Sequence, residues 1–213
     1  SKILIEMNHD SVKYFKNFSK INNVYLLLGS IPITENDKLF NRSILINPDG
    51  DIISIYDKIH MFDITLKNGE SYKESDFYSP GSELKITKVM GQSVGHTICY
   101  DLRYPKLYRA LAKKGSQIIV VPSAFTHTTG KAHWHSLIKA RAIENGVFIL
   151  APNQWGVNNE KRVTYGHTLI VDPWGETLAE AEDGEMIIAA ELDLNRVREC
   201  QNAIPVLDND RNF

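Results

Sequence analysis

Cysteine is scarce in this sequence, an excess of positive charge is absent, and no long apolar run occurs. Only two cysteines, Cys99 and Cys200, are present among the 213 residues, so neither a disulfide framework nor a cysteine-based zinc site is expected. The 24 lysines and arginines are balanced by 26 aspartates and glutamates, and a net charge of −2 gives no reason to expect a nucleic-acid partner. No apolar run approaches the length of a membrane span, and no secretory signal opens the chain. These absences favour a soluble cytoplasmic enzyme with no membrane partner.

The composition is that of an ordinary globular protein, with 43% hydrophobic and 23% charged residues. No repeat or low-complexity linker interrupts the sequence, so we predict a single domain over residues 1–213. The first residue is Ser1 and not a methionine. We therefore expect the chain to have been processed, trimmed or cut from a longer protein.

Short apolar segments separated by tight turns predict many strands and few helices. Single strands are predicted at 24–28, 116–121, 147–151 and 186–192, and hairpins at 43–47 with 51–56 and at 168–171 with 176–179. Helices are predicted at 105–114, where Pro105 suits a first turn, and at 132–145, which Gly146 ends. Alternation of strand, helix and strand favours an α/β layered sandwich with mixed sheets.

The second predicted helix carries a charge on its apolar face. Trp134, Ile138 and Ala142 form that face, and Arg141 falls on it, seven residues after Trp134. Arg141 therefore needs a buried partner, and Glu144, three residues later, is the candidate.

Cys99 is the most informative residue, because it closes an apolar run and is followed by Asp101, Arg103 and the helix-starting Pro105. A lone cysteine in a core is often only a small hydrophobic residue. Here the thiol lies where the run stops, at the kind of strand end where α/β proteins build sites. A second polar strand end carries Lys58, whose ammonium could hold a thiolate and later an oxyanion. Together the two residues indicate a cysteine-nucleophile site.

Histidines near the second helix invite a metal interpretation, which the helical spacing does not favour. His133 and His135 point about 200° apart on a helix and cannot chelate one ion together. We therefore expect no metal site, and expect His133 and His167 to donate hydrogen bonds in the core or near the pocket. Segment 126–130 is polar and follows a strand, so it either lines the mouth of the substrate pocket or is an ordinary exposed loop.

Ordered blocks of residues over nearly the whole chain resemble the carbon–nitrogen hydrolase (nitrilase) superfamily, in its Nit amidase branch. The matching blocks are Asn41, Tyr56-Asp57-Lys58-Ile59-His60-Met61-Phe62-Asp63, Glu74, Ser79-Pro80-Gly81, Ile98-Cys99-Tyr100-Asp101-Leu102-Arg103-Tyr104-Pro105, Pro122-Ser123-Ala124-Phe125, Thr129-Gly130, His133-Trp134, Ala140-Arg141-Ala142-Ile143-Glu144-Asn145 and Gly166-His167 to Asp172-Pro173-Trp174-Gly175.

The resemblance implies an α-β-β-α sandwich of the nitrilase type that forms a homodimer or higher homo-oligomer. It also implies hydrolysis of the amide C–N bond of a small carboxylic-acid amide, with release of ammonia and with no metal or organic cofactor. Gln154-Trp155-Gly156, Arg162 and Tyr165-Gly166-His167 look closer to deaminated-glutathione amidases than to ω-amidases. Both substrate classes remain open.

The resemblance assigns a role to each site residue. Cys99 would attack the amide carbonyl and form a thioester, while Lys58 and the backbone N–H of Tyr100 hold the oxyanion. Glu74 would lie beside Lys58 and orient it. Tyr100, Phe125 and Thr126 are expected to line the substrate pocket.

The general-base glutamate of the family is not found in this sequence. Glu6 lacks the preceding proline, and Glu74 matches the glutamate beside the lysine. Residues 1–21 resemble the helix that leads into the strand at 24–28, so the first strand, first helix and second strand of the sandwich are expected to be missing. The chain is then a fragment of an active amidase, the product of a shortened gene, or a protein in which Glu74 or Glu6 moves the proton. A catalytically impaired chain that serves as a binding or assembly subunit is the alternative function.

Overall fold

The computed structural model describes residue 7 and residues 9–66, 69–159 and 162–211. The chain forms two compact units, Ser1–Thr87 and Lys88–Phe213. The mixture of helices and sheets predicted from the sequence is present in them. The single-domain organisation stays a prediction.

Four α-helices are formed: α1 (Asp10–Asn22), α2 (Pro105–Lys113), α3 (His127–Asn145) and α4 (Asn195–Ala203). Two 3-10 helices cover Glu74–Asp76 and Cys99–Arg103. The strands are β1 (Leu26–Glu35), β2 (Lys38–Ile46), β3 (Ile52–Asp57), β4 (Asp63–Thr65), β5 (Ser71–Lys73), β6 (Ile86–Val89), β7 (Gln92–His96), β8 (Ile118–Val120), β9 (Phe148–Ala151), β10 (Trp155–Asn159), β11 (Arg162–Tyr165), β12 (Leu169–Val171) and β13 (Thr177–Glu180).

The first unit is built on an antiparallel sheet in the order β1-β2-β3. Its apolar core is formed by Leu28, Ile33, Ile44 and Ile46, which belong to β1 and β2. The predicted hairpin around Pro48-Asp49-Gly50 is confirmed as β2–β3. The predicted strand at 24–28 is confirmed, although it begins at Leu26 and runs further, to Glu35. The helix expected at 1–21 is observed as α1, and residues 1–6 and 8 lie outside the described residues.

A buried ion pair fixes the end of β3 next to Lys58. Arg42 on β2 donates from Nε to Asp57 Oδ1 at 2.7 Å and from Nη2 to Asp57 Oδ2 at 2.9 Å. The same Nη2 also donates to Glu35 at 3.0 Å. The hydrogen bond with Asp57 raises the pKa of Arg42, and the hydrogen bond with Arg42 lowers the pKa of Glu35. The contact between Arg42 and Asp57 is bidentate, which is the geometry in which arginine and carboxylate bind most strongly.

Asp57→Ala is expected to lower the free energy of unfolding by about 3 kcal/mol, because it leaves a buried guanidinium without its main partner. The side chain of Asp57 is 20% exposed, whereas that of Glu35 is 47% exposed. Glu35→Ala is the matched control and should cost at most about 1 kcal/mol, as exposed ion pairs do. Urea denaturation of the three proteins measures both values. Equal losses in the two variants would contradict the assignment of Asp57 as the main partner.

The second unit is built on a six-stranded sheet in the order β13-β12-β9-β8-β7-β6. Strands β7, β8 and β9 are parallel, and β12 lies next to β9 in the sheet and runs antiparallel to it. The predicted strands at 116–121 and 147–151 are confirmed as β8 and β9, and the predicted second hairpin is confirmed as β12–β13. Parallel strands bring their carboxyl ends to one edge, which is where α/β proteins place ligands.

Helices α2 and α3 confirm the two predicted helices, with one correction at the start of α3. The expectation that 126–130 is a loop is wrong, because His127 to Gly130 form the first turn of α3. Thr126 caps this turn by accepting a hydrogen bond from the Thr129 N–H. Arg141 is buried and donates to Glu144 at 2.8 Å and to the Leu102 carbonyl at 2.9 Å, as its position on the apolar face predicted.

The predicted strand at 186–192 is wrong. Within the part of the chain that the structure describes, no strand pairs with this segment, and Ile187 is 96% exposed. A strand needs a neighbour to bond its backbone, and an apolar run such as this one cannot show whether a neighbour is present.

Helix α4 was not predicted, because its sequence is strongly polar and buries only Val197 and Cys200. Among the described residues, no helix is both long and apolar enough to cross a membrane.

Candidate active site

Lys58 follows β3 directly, and its backbone is bonded on both sides. Its N–H donates to the Asn41 carbonyl at 2.9 Å, and its carbonyl accepts from the Gly81 N–H at 2.8 Å. A Cβ on residue 81 would collide with the backbone carbonyl of Asp57, so glycine allows this close approach. The Lys58 side chain is only 3% exposed. A buried ammonium of this kind requires a charged or strongly polar partner.

Glu74 supplies that partner. Its carboxylate, 12% exposed, forms an ion pair with Lys58 Nζ. It also accepts a hydrogen bond from Asn41 Nδ2 at 2.9 Å and from the Phe62 N–H at 2.6 Å. Three donors therefore hold the carboxylate in place, and the carboxylate in turn fixes the ammonium. The expected proximity of Glu74 and Lys58 is observed, while the contribution of Asn41 and Phe62 was not predicted.

Cys99 lies at the carboxyl edge of the parallel sheet in the second unit. The chain leaves β7 at His96, and Cys99 opens the 3-10 helix Cys99–Arg103. The Cys99 N–H donates to the Pro122 carbonyl at 3.0 Å, which ties it to the end of β8. The thiol-bearing residue is partly exposed and has φ of 47°. A non-glycine residue in this left-handed region is strained, and such strain is concentrated at functional sites.

Asp101 stabilises the turn at Cys99 through a hydrogen bond with the backbone. It is fully buried, and its carboxylate accepts a hydrogen bond from the Ile98 N–H at 2.9 Å. The Asp101 carboxylate, two residues after Cys99, therefore has a hydrogen-bond donor in the backbone.

Arg103 faces aromatic rings, at 5.9 Å from the centre of Tyr100 and 5.5 Å from that of Phe125. It also donates to His133 Nδ1 at 3.3 Å. His133 is an exposed residue of α3, so the expectation of a core position is wrong, while a position near the pocket stays a prediction.

Phe125 and Thr126 follow β8 along the same carboxyl edge. The Phe125 N–H donates to Asn153 Oδ1 at 3.0 Å, and the Phe125 ring packs 4.8 Å from the ring of Trp134. Both residues are almost entirely buried, and the Thr126 hydroxyl is occupied in capping α3. Their contact with a substrate stays a prediction. Asn153 was not predicted, although a polar residue two positions after a buried strand is the signal that would have found it.

Cys200 differs from Cys99 in its surroundings. It lies on α4, is 7% exposed, and burial raises the pKa of its thiol. A thiol that resists ionisation is a poor nucleophile. The structure thus places Lys58, Glu74 and Asn41 together in the first unit, and Cys99, Tyr100 and Phe125 along one edge in the second.

The family profile of carbon-nitrogen hydrolases matches residues 3–202. The chain belongs to the carbon–nitrogen hydrolase family. It is 40% identical over 192 residues to the deaminated glutathione amidase of Yersinia enterocolitica, an alignment that covers 88% of this chain and 67% of the relative. It is 36% identical over 197 residues to the ω-amidase of Xenopus tropicalis, covering 92% of this chain and 71% of that protein. The expected resemblance to the Nit amidase branch is confirmed.

The crystal structure of the NitFhit protein of Caenorhabditis elegans is similar to the fold, with a TM-score of 0.91 at 33% sequence identity. The match covers 96% of this chain and 51% of that protein. The expected α/β fold of the nitrilase type is confirmed by this likeness. The chain spans about half of the NitFhit protein. Glu6, considered above as a general base, lies outside the described residues.

Proposed function

We propose that this carbon–nitrogen hydrolase cleaves the amide bond of a small carboxylic acid through a thioester on Cys99. The observation that carries the proposal is the position of Cys99, partly exposed and held at φ of 47° where the chain leaves a parallel strand. Maintaining such a conformation costs of order 1–3 kcal/mol, and residues held in it are concentrated at active sites, which supports a functional role for this thiol.

The reaction consists of two acyl transfers. The Cys99 thiolate attacks the amide carbonyl, a C–S bond forms, and the carbonyl oxygen becomes an oxyanion. The C–N bond then breaks, the proton lost by the Cys99 thiol leaves on the amine, and the acyl group stays on sulfur as a thioester. Water attacks the thioester, the C–S bond breaks, and the carboxylic acid and the free thiol are released. No oxidant, reductant or metal is consumed in this sequence.

Lys58 and the Tyr100 N–H are proposed to hold the oxyanion. A donor aimed at an oxyanion contributes about 3–4 kcal/mol to the transition state. Glu74 supports this role by keeping the Lys58 ammonium charged and fixed. Because its oxygens already accept hydrogen bonds from Lys58, Asn41 and Phe62, Glu74 is better suited to positioning than to accepting a further proton.

Deaminated glutathione is the proposed substrate, with an ω-amide as the alternative. The loop residues that favour it lie on the hairpin β10–β11 and just after it, and Trp155 and Tyr165 line a cavity of about 360 Å³. Lys131 and His127 belong to the same cavity wall. Asp183 lines this cavity too, and the Lys131 ammonium is the group in it that suits a free carboxylate of the substrate.

The substrate proposal is tested by product analysis. A primary ω-amide should release ammonia, whereas a deaminated peptide should release a new amine in place of ammonia. We expect preferential turnover of the deaminated peptide, together with an intact-mass increase equal to one acyl group when the reaction is quenched in acid. Acyl mass on a residue other than Cys99 would contradict the mechanism. Binding of both amides without any product would favour the binding or assembly subunit. The homodimer and the cytoplasmic location implied by the resemblance stay predictions.

A further inference from the structure

A cluster of two histidines and a glutamate lies in the second unit, away from Cys99 in the sequence. His135 is on α3, His167 lies just before β12, and Glu180 ends β13. His135 Nε2 is 2.8 Å from Glu180 Oε1, and His167 Nδ1 is 3.0 Å from the same oxygen. Ligand atoms of all three side chains lie within 4.8 Å of one another.

These spacings fit the coordination of a small divalent metal ion. Imidazole nitrogen and carboxylate oxygen bind Zn²⁺ at about 2.0–2.2 Å, which puts neighbouring ligands about 3.0 Å apart in an octahedron and about 3.4 Å apart in a tetrahedron. The two separations from Glu180 match the octahedral edge, and each would lengthen by about 0.4–0.6 Å to reach the tetrahedral one. Two histidines and one carboxylate with open positions form a donor set typical of divalent transition metals.

The surroundings hold the imidazole rings and leave a path for an ion. The Tyr165 ring stacks on His167 at 4.5 Å and meets His135 edge-on at 6.0 Å. The side chains of His135, His167 and Glu180 are 34%, 26% and 37% exposed. A cleft of about 540 Å³ borders His167, Glu180 and Asp183. Asp183 Oδ1 lies 3.8 Å from His167 Nε2, beyond hydrogen-bond distance, and accepts a hydrogen bond from Trp155 Nε1 at 3.3 Å.

We propose that His135, His167 and Glu180 bind a divalent transition-metal ion, with water in the remaining positions. His167 also lines the cavity proposed above for the substrate, so the metal site would border that cavity, although the proposed hydrolysis itself uses no metal. The expectation of no metal considered His127, His133, His135 and His167, and it rested on the spacing of His133 and His135 along the helix without taking Glu180 into account. The structure instead brings His167 and Glu180 to His135 from 32 and 45 residues further along the chain.

Calorimetric titration of the chelator-treated chain with ZnCl₂ tests the proposal. A Cys99→Ser background removes the partly exposed thiol as a competing ligand. One ion per chain should bind, and Glu180→Gln or His135→Gln should weaken binding at least about 100-fold, more than the loss of an outer partner does. Glu182→Gln and His133→Gln, exposed neighbours on the same two segments, are the matched controls and should bind within about threefold of the parent.

The competing account is a hydrogen-bonded triad that only ties α3 to β13. It predicts no stoichiometric binding, or equal binding by Glu180→Gln and Glu182→Gln, and either result overturns the proposal. If Glu180→Gln fails to fold, the pair His135→Gln and His133→Gln decides the question, because both residues lie on the same helix. Co²⁺ provides a second readout: visible absorption should appear with the parent protein, disappear when Zn²⁺ is added, and be absent in His135→Gln.

Discussion

Replacing Cys99 by alanine is expected to reduce amide turnover by at least about 10⁴-fold, because no thiolate remains to attack the carbonyl. The rate is measured as product release at saturating amide, in a preparation whose parent protein turns the amide over. Alanine keeps the backbone of position 99 without adding bulk, so circular dichroism should show an unchanged fold.

Cys200→Ala is the matched control. Cys200 is 7% exposed, and burial raises the pKa of its thiol, so its removal should leave the rate within about threefold of the parent. An α-haloacetamide should alkylate Cys99 in the parent and leave Cys200 unmodified, which peptide mass mapping will show. Alkylation of Cys200 with Cys99 untouched would contradict the assignment of the nucleophile.

Lys58→Met is expected to lower kcat by about 10²–10³-fold with little change in KM, because the lost donor acts on the oxyanion and not on the bound amide. Glu74 keeps Asn41 and the Phe62 N–H as donors, so its carboxylate is not left without hydrogen bonds. The variant should therefore fold, and it should unfold with a midpoint at a lower urea concentration than the parent protein.

Lys38→Met, at an exposed position at the start of β2, is the control for removing a lysine and should retain the rate of the parent. Alkylation of Cys99 gives a second readout that does not depend on turnover. If Lys58→Met hydrolyses amides at the parent rate, Lys58 is a structural partner of Glu74 and has no role in catalysis.

Local signals were sufficient for much of the fold. The turn Pro48-Asp49-Gly50 gave the β2–β3 hairpin, and the charge of Arg141 on an apolar face correctly indicated Glu144 as its partner, although the Glu144 side chain is 34% exposed. The strand predicted at 186–192 is wrong because an apolar run indicates a tendency to be buried, not the presence of a neighbouring strand. The start of α3 was placed late because its first turn is polar, and a capping threonine is easily taken for a loop residue.

The candidate site, like the fold, could be predicted from the sequence only in part. The strand end at Cys99 could be seen from the sequence, but its left-handed backbone could not, since cysteine rarely adopts it. The pairing of Lys58 with Glu74 came from the family resemblance, because 16 residues separate them and no local rule connects them. The cluster of His135, His167 and Glu180 depends on three elements meeting in the folded chain. The spacing of His133 and His135 along one helix gave no indication of this cluster.

The backbone at Cys99 also sets stability and activity against each other in evolution. An L-residue in the left-handed region costs about 1 kcal/mol that glycine would not pay. A library of variants selected for thermal stability alone would therefore enrich glycine at position 99, and selection for turnover would remove it. The unfavourable torsion angle at this one residue separates the two selection pressures, so variation at position 99 would record which of them has acted on a lineage.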